Sequence, residues 1–547
     1  MSIIHHFDKR SGLTYVYEST SYWDKEKKQP RSHRVLIGRL DPATGEVVKT
    51  DGRGRRRGQV KKATNTESSN KPGRVPWPTT RRLFFGTTYL FDQIGEAIGI
   101  TNDLKKCFPQ YYKQILSIAY YLILEDRNPL SRFHNWSLLH RHPFGEDISS
   151  QRTSELFGSI SEEAKMNFFR LQGKRRLENE YWAYDTTSIS SRSELLKQVQ
   201  YGRNKDGDSL GQINLALLFG QESGLPFYYR KLAGNIPDVK TIRELLKELD
   251  VLGYSHVKLI MDRGFYSADN INNLYKHHLK FLIGTSTALS FAKSFIREVA
   301  DKKDSFEAYN ENYELYIFTK TICWDYEENR PYKKDTVSGE RRLYLHLYYN
   351  PDKAANDAKV FNRKLSELKA ELLSGKRVPE HEADYERYFT VTKTPKRGIG
   401  IAYNQEAIDK KRERYGFFTL ISNEIKDPVR ALELYRSRNI IERAYFDIKG
   451  RLNMRRTLVS SDSSLEGKCF VEFVALIFLS YIKQKMEEKN LFKQYTLQEL
   501  LDELDRIECF IEPGKSPIQG EVLLRQEQLY RDLGVKPLLA NPLSAGD

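Results

Sequence analysis

Cysteine is scarce and scattered: Cys107, Cys323, Cys469 and Cys509 are the whole complement. With no Cys-x-x-Cys pair among them, neither a disulfide scaffold nor a zinc site is expected. Long apolar runs are missing too, since no window approaches the roughly 18 residues of a membrane span. The opening Met-Ser-Ile-Ile-His-His-Phe-Asp-Lys-Arg lacks the apolar stretch of a signal peptide. A reducing cytoplasm and no membrane partner are the expectation. No internal repeat stands out, and His140-x-His142 and His277-His278 have no third ligand at useful spacing, so these histidines read as structural.

What is present is a folding composition. The 547 residues are 39% hydrophobic and 12% aromatic, which excludes disorder over most of the chain. At about 150 residues per domain the length predicts roughly three or four domains. Lys and Arg number 88 against 73 Asp and Glu, a net +15. The first 75 residues hold 17 of the basic and 8 of the acidic residues, so most of the excess sits at one end. A polyanionic partner follows from that asymmetry.

Pattern changes along the chain predict six segments. Residues 1–76 read as a basic β unit and linker, with a Gly52–Gly58 run too polar to order alone, and residues 77–177 as a helical domain in which apolar residues recur every three or four positions. Residues 178–288 contain strand-like runs at Tyr181–Thr186, Ile213–Phe219, Phe227–Leu232, Val257–Met261 and Lys280–Thr285. The first three follow closely, as in an antiparallel meander. A helix from Pro237 to Leu249 then predicts a crossover that sets the fourth strand parallel to the first. Residues 289–415 read as an insertion domain, 416–460 as a return to the core with a helix ending before Gly450, and 461–547 as a C-terminal helical region able to support dimerisation. Within that last region, the 13-residue run Phe470–Ile482 is too short for a span and reads as a buried helix.

Chemistry concentrates in few places. On one continuous helix at about 100° per residue, Tyr435, Arg438, Glu442 and Lys449 fall within an arc of roughly 60°. Leu434, Ile440, Ile441, Ala444 and Ile448 cover the other side, so the charged stripe is expected to face away from the core. Asp185 follows the aromatic strand Tyr181–Tyr184, and Asp262 follows Val257–Met261. If those strands are neighbours, both carboxylates emerge together and the helix can bring Glu442 to them. Three acids at close quarters repel one another, which points to a hard divalent ion with oxygen ligands, Mg²⁺ above all.

Together these residues resemble the DDE transposases of bacterial insertion sequences. More narrowly, Tyr435-x2-Arg438-x3-Glu442-x6-Lys449 resembles the Tyr-Arg-Glu-Lys signature of one branch, and Asp185 in Tyr-Asp-Thr-Thr and Asp262 in Asp-Arg-Gly-Phe-Tyr match its two aspartate motifs. The resemblance covers about residues 178–460. It implies an α/β fold: an RNase H-like mixed sheet flanked by helices, interrupted by a β-containing insertion domain, with an N-terminal β/helical DNA-binding region and a C-terminal helical region. It further implies that Asp185, Asp262 and Glu442 bind two Mg²⁺ ions, for which Mn²⁺ can substitute, and catalyse strand cleavage and transfer at terminal inverted repeats. Tyr435, Arg438 and Lys449 would hold DNA phosphates, Arg263 would assist, and Trp324 would stack on an unpaired base. The implied partners are terminal-repeat and target DNA, bound by a homodimer in a synaptic complex on the bacterial nucleoid. The competing expectation is a catalytically inactive, transposase-derived DNA-binding protein. A two-carboxylate glycosidase explains neither the basic end nor the cations beside Glu442.

Overall fold

The computed structural model describes residues 2–540 apart from 10–11, 25–26, 43, 50–79, 177–179, 194, 255–256, 331–334, 395–397, 458, 460 and 513. The basic run Gly52–Gly58 lies outside the described residues. Contacts divide the chain into two units, Met1–Trp77 and Pro78–Asp547. The first is an antiparallel sheet of β1 (Ser2–Asp8), β2 (Leu13–Asp24), β3 (Gln29–Leu40) and β4 (Val47–Val48) in that order. Val16 and Ser19 are buried in it, whereas Phe7, Tyr22, Trp23 and Val35 are exposed.

The second unit begins with β5 (Arg81–Phe84) and the helices α1 (Gly86–Ala97), α2 (Ile100–Cys107), α3 (Tyr112–Leu124), α4 (Phe133–Leu139), α5 (Ser150–Ser159) and α6 (Glu162–Lys174). β6 (Tyr181–Ser191), β7 (Gly211–Gly220) and β8 (Pro226–Ala233) then form the antiparallel meander that the sequence predicts. Helix α7 (Asp238–Leu252) carries the chain across to β9 (Lys258–Met261), which pairs parallel with β6. Helix α8 (Ala268–Lys276) leads to β10 (Lys280–Thr285), parallel to β9. Strands β7 and β10 are buried along nearly their whole length, which is why they read as unbroken runs rather than alternations.

Next come α9 (Ser290–Glu298), β11 (Tyr309–Asn310), β12 (Leu315–Arg330), β13 (Asp335–Tyr349), α10 (Pro351–Ser374) and α11 (Glu382–Tyr388). The hairpin β14 (Phe389–Thr394) and β15 (Gly398–Tyr403), α12 (Gln405–Arg412) and β16 (Phe417–Ser422) follow. The stretch read as an insertion thus has two parts. Strands β11 to β13 do not build their own sheet: β13 pairs with β16 and β16 with β10, giving one mixed sheet ordered β11-β12-β13-β16-β10-β9-β6-β7-β8. Only α10, α11, the β14 end and α12 enclose a separate small core, around Phe361, Leu368, Tyr385 and Phe389.

The chain ends through α13 (Pro428–Ser437), α14 (Asn439–Lys449), β17 (Arg456–Thr457), α15 (Asp462–Glu488), α16 (Leu497–Asp505), β18 (Glu508–Ile511), β19 (Ile518–Gln519) and α17 (Leu524–Asp532). Helix α15 is buried all round from Cys469 to Leu479, packs on α3 and α5, and β18 pairs with β5. Helices α15 to α17 therefore complete the layer begun by α1 to α6. Among the described residues no helix is long and apolar enough to cross a membrane.

Two buried imidazoles make the fold sensitive to acid. His346 on β13 has Nε2 3.0 Å from the Ile425 carbonyl and Nδ1 3.0 Å from the Thr319 hydroxyl; a neutral ring protonated on Nε2 satisfies both. Burial pulls the pKa of His346, and of His142, down to about 4. An imidazole lowered from about 6.5 costs nothing above that pH. As the pH falls the unfolded chain takes up the proton first and stability declines, levelling off below the folded value. We expect a loss on the order of 3 kcal/mol per ring between about pH 6.5 and 4. Urea unfolding across that range should show a shallower slope in His346→Gln than in the wild type.

Candidate active site

Strands β6 and β9 run parallel and in register, with Trp182 beside Leu259, Ala183 beside Ile260 and Tyr184 beside Met261. One step further sets Asp185 beside Asp262, and register partners in a parallel pair share a face. That face carries Tyr181, Ile260, Leu282 and Leu420 beneath Ala431, Leu432 and Leu434 of α13. The two aspartates continue it where the apolar cover ends. Asp262 follows the last residue of β9, as read from the sequence, but Asp185 does not end its strand. It lies inside β6, because Thr186–Ser191, polar apart from the buried Ile189, go on pairing with β7.

The helix with the spaced signature is also not continuous. Helices α13 and α14 meet at Arg438, where the Arg438 N–H bonds to the Tyr435 carbonyl and the Ile441 N–H to the Arg438 carbonyl. These three-residue bonds tighten the joint, which an ideal helical wheel does not anticipate. Arg438 consequently turns inward and is only 8% exposed, against the outward stripe expected of it.

The inward turn gathers the acids. Arg438 Nη1 lies 3.8 Å from Asp185 Oδ2, and Nη2 lies 3.8 Å from Asp262 Oδ1 and 3.3 Å from Glu442 Oε1. The Tyr435 hydroxyl donates to Asp262 Oδ1 at 2.7 Å, and the Arg438 guanidinium stands 5.2 Å from the Tyr435 ring centre. Lys449 bonds both carboxylate oxygens of Asp206 at 2.8 Å. Arg263, in the turn after Asp262, lines the same open groove of about 800 Å³. Trp324 is not brought there: on β12 it packs half-buried and donates from Nε1 to Asn272 of α8 at 2.8 Å.

Three residues that the sequence reading missed complete the site. Lys205 Nζ lies 2.8 Å from the Thr186 hydroxyl, 3.1 Å from Asp238 Oδ2 and 3.7 Å from Asp185 Oδ1. Asp238 adds a fourth carboxylate to the groove. The buried Tyr445 donates to the Asp185 carbonyl and ties α14 to β6. The only local signal for Lys205 is a charged run between two predicted strands, Arg203 to Asp208, which marks a loop and not a role.

The two neighbouring aspartates are driven apart electrostatically. Burial raises the pKa of Asp185 and Asp262 adds to the rise, only partly offset by Lys205, the Thr186 N–H and Arg438. Burial would raise Asp262 too, but the Tyr435 hydroxyl, Arg438 and the Arg263 N–H together take it below its ordinary value. Among the described residues no three Asp, Glu, His or Cys side chains are close enough to share one ion; Arg438 stands between the acids instead. The donor chemistry nevertheless fits a hard divalent cation. Asp185 and Asp262 are adjacent carboxylates that already draw a cationic group, and Glu442 faces them from α14.

This is a three-carboxylate centre set at the meeting of two parallel strands and a helix. The family model described as the transposase DDE domain matches residues 182–478, more than half of the chain, and the chain belongs to that family. It is therefore a DDE transposase, of a family whose members act on DNA with divalent metal. A cryo-electron microscopy structure of piggyBac transposase in a synaptic complex with hairpin DNA is similar at a TM-score of 0.35 and 10% identity, over 72% of this chain and 70% of that one. Likeness at that level carries no inference. No curated protein matches the chain.

Proposed function

We propose that the protein cleaves DNA at the terminal inverted repeats of its own bacterial insertion sequence and joins the released ends to a target. Asp185, Asp262 and Glu442 are the catalytic set, on an RNase H-like core of the branch with the Tyr-Arg-Glu-Lys signature. The observation that carries this reading is the convergence of these three acids, from distant parts of the chain, within 3.8 Å of one guanidinium. The three carboxylates would hold two Mg²⁺ ions, replaceable by Mn²⁺. Such ions polarise a phosphate and lower the pKa of an attacking water or 3′-hydroxyl.

The remaining roles belong to the chain's own groups. Asp185 and Asp262 flank the position of the scissile phosphate. Arg438 offers a planar fork and Lys449 a point charge to its neighbouring phosphates, with Arg263 beside them. Tyr435 orients Asp262 through its hydrogen bond. Basic residues of the 1–76 segment supply salt-sensitive affinity for the repeats, and a homodimer pairs the two ends on the nucleoid in the cytoplasm. Trp324, committed to Asn272, is not part of this scheme.

Incubation with Mg²⁺ and a duplex carrying the inverted repeats that flank the gene should yield 3′-hydroxyl nicks at the repeat boundary. Tight, specific binding with no nick in Mg²⁺ or Mn²⁺ would instead identify an inactive DNA-binding derivative. A finer test uses Gly284 on β10, where an added Cβ would meet the Tyr435 hydroxyl oxygen at 2.6 Å and Cζ at 3.2 Å. Gly284→Ala is expected to push that ring off Asp262 and lower the nicking rate by on the order of tenfold to a hundredfold, with end binding unchanged in gel shifts.

A further inference from the structure

Arg438, Lys205 and Lys449 are not free to meet DNA, since each is held by carboxylates. Arg438 is surrounded by Asp185, Asp262 and Glu442, yet its closest approach to them is 3.3 Å, and its buried Nε has no hydrogen-bond partner among the described residues. It is held by charge without the short, paired bonds that a guanidinium makes to a well-fitted oxyanion. A buried donor without a partner is costly, and a phosphate offering two oxygens would relieve it. Lys205 takes the other oxygen of Asp185 and bridges to Asp238. The adjacent Asp206 holds Lys449, so the Lys205 loop is fastened to the C-terminal end of α14, the helix that carries Glu442 in its first turn.

We propose that Arg438 and Lys205 are built-in countercations that keep the carboxylates from taking up divalent metal until DNA phosphate draws them away, so that metal and DNA bind cooperatively. This rests on the reading of Asp185, Asp262 and Glu442 as metal ligands, and it assigns Lys205 as a positioning residue. The physical basis is competition. A guanidinium within 4 Å of one Asp185 oxygen and an ammonium within 4 Å of the other occupy the region where a metal must sit and cancel the field that would attract it. DNA supplies alternative acceptors of the same charge, and Arg438 gains a bidentate partner by moving. By linkage, whatever DNA does for metal affinity, metal does for DNA affinity.

The test is Mn²⁺ binding to the full-length protein, followed by the electron paramagnetic resonance signal of the free ion, with and without an end-bearing duplex. Without DNA, Arg438→Met and Lys205→Met should each bind Mn²⁺ at least about tenfold more tightly than the wild type. Lys205→Arg, which keeps the charge, should stay near wild type. Added duplex should tighten binding in the wild type and do so less in either Met variant. Equal affinity in wild type and both Met variants, or a wild type indifferent to DNA, overturns the proposal. Asp185→Asn in the Arg438→Met background separates the two levels of the argument. If it removes the tight site, the metal-ligand reading stands whatever the gating result; if Mn²⁺ still binds as tightly, that reading falls as well.

Discussion

Asp262→Asn is expected to lower Mg²⁺-dependent cleavage of an end-bearing duplex by at least about 10³-fold while leaving end affinity, measured without divalent metal, within about threefold. The change swaps one oxygen for an amide nitrogen and preserves volume, so β9 and the turn through Arg263 keep their packing. The amide oxygen can still accept the Tyr435 hydroxyl, now bonded to Asp262 Oδ1. What is lost is the negative charge opposite Asp185, on which a divalent ion and its polarising effect depend. Asp185→Asn should behave in the same way from the other strand. Single-turnover nicking and gel-shift titration separate the two quantities, and undiminished nicking by Asp262→Asn would end the case for a catalytic carboxylate there.

The second large effect concerns the fold. Phe478→Ala should destabilise the larger unit by about 3 to 5 kcal/mol, the range for emptying a fully buried aromatic site. Phe478 is wholly buried on α15, with ring centres 5.6 Å from Tyr120 and 6.1 Å from Phe91. Those rings belong to α3 and α1, so a cavity there loosens the joint between the helical layer and the C-terminal helix. Urea unfolding followed by far-ultraviolet circular dichroism measures the change. A loss under about 1 kcal/mol would mean that the neighbouring rings collapse into the space.

Local pattern made some of this architecture legible and hid the rest for identifiable reasons. The meander β6–β7–β8 and the parallel β9 follow from apolar runs, a short hairpin break and one crossover helix, all of which act over short sequence distances. Asp262 was readable because an apolar strand stops there. Asp185 was placed after the aromatic run Tyr181–Tyr184, whereas pairing with β7 and bonds such as the Ser188 hydroxyl to Asn214 extend the strand to Ser191. That β12 and β13 join the main sheet was invisible, since their link through β16 spans some seventy residues and leaves no periodic trace.

At the site, spacing put Tyr435, Arg438 and Glu442 on one outward stripe; Glu442 is exposed accordingly, but Arg438 turns inward. A helical wheel assumes one straight helix, and the joint at Arg438 turns a residue expected in solvent into a buried cation. The unfavourable burial of that charge is offset by three carboxylates that sequence distance alone could not assemble around it. Lys205 was missed for the same reason, since its partners Asp185, Thr186 and Asp238 lie on other elements.

The most direct test is anomalous diffraction from crystals of the protein bound to a DNA end and soaked in Mn²⁺. The account predicts manganese peaks within about 2.5 Å of Asp185 and Asp262 oxygens, with Glu442 in the same shell and Arg438 displaced onto a phosphate. Manganese bound elsewhere, or a DNA-bound site in which Arg438 still separates the three acids, would contradict it.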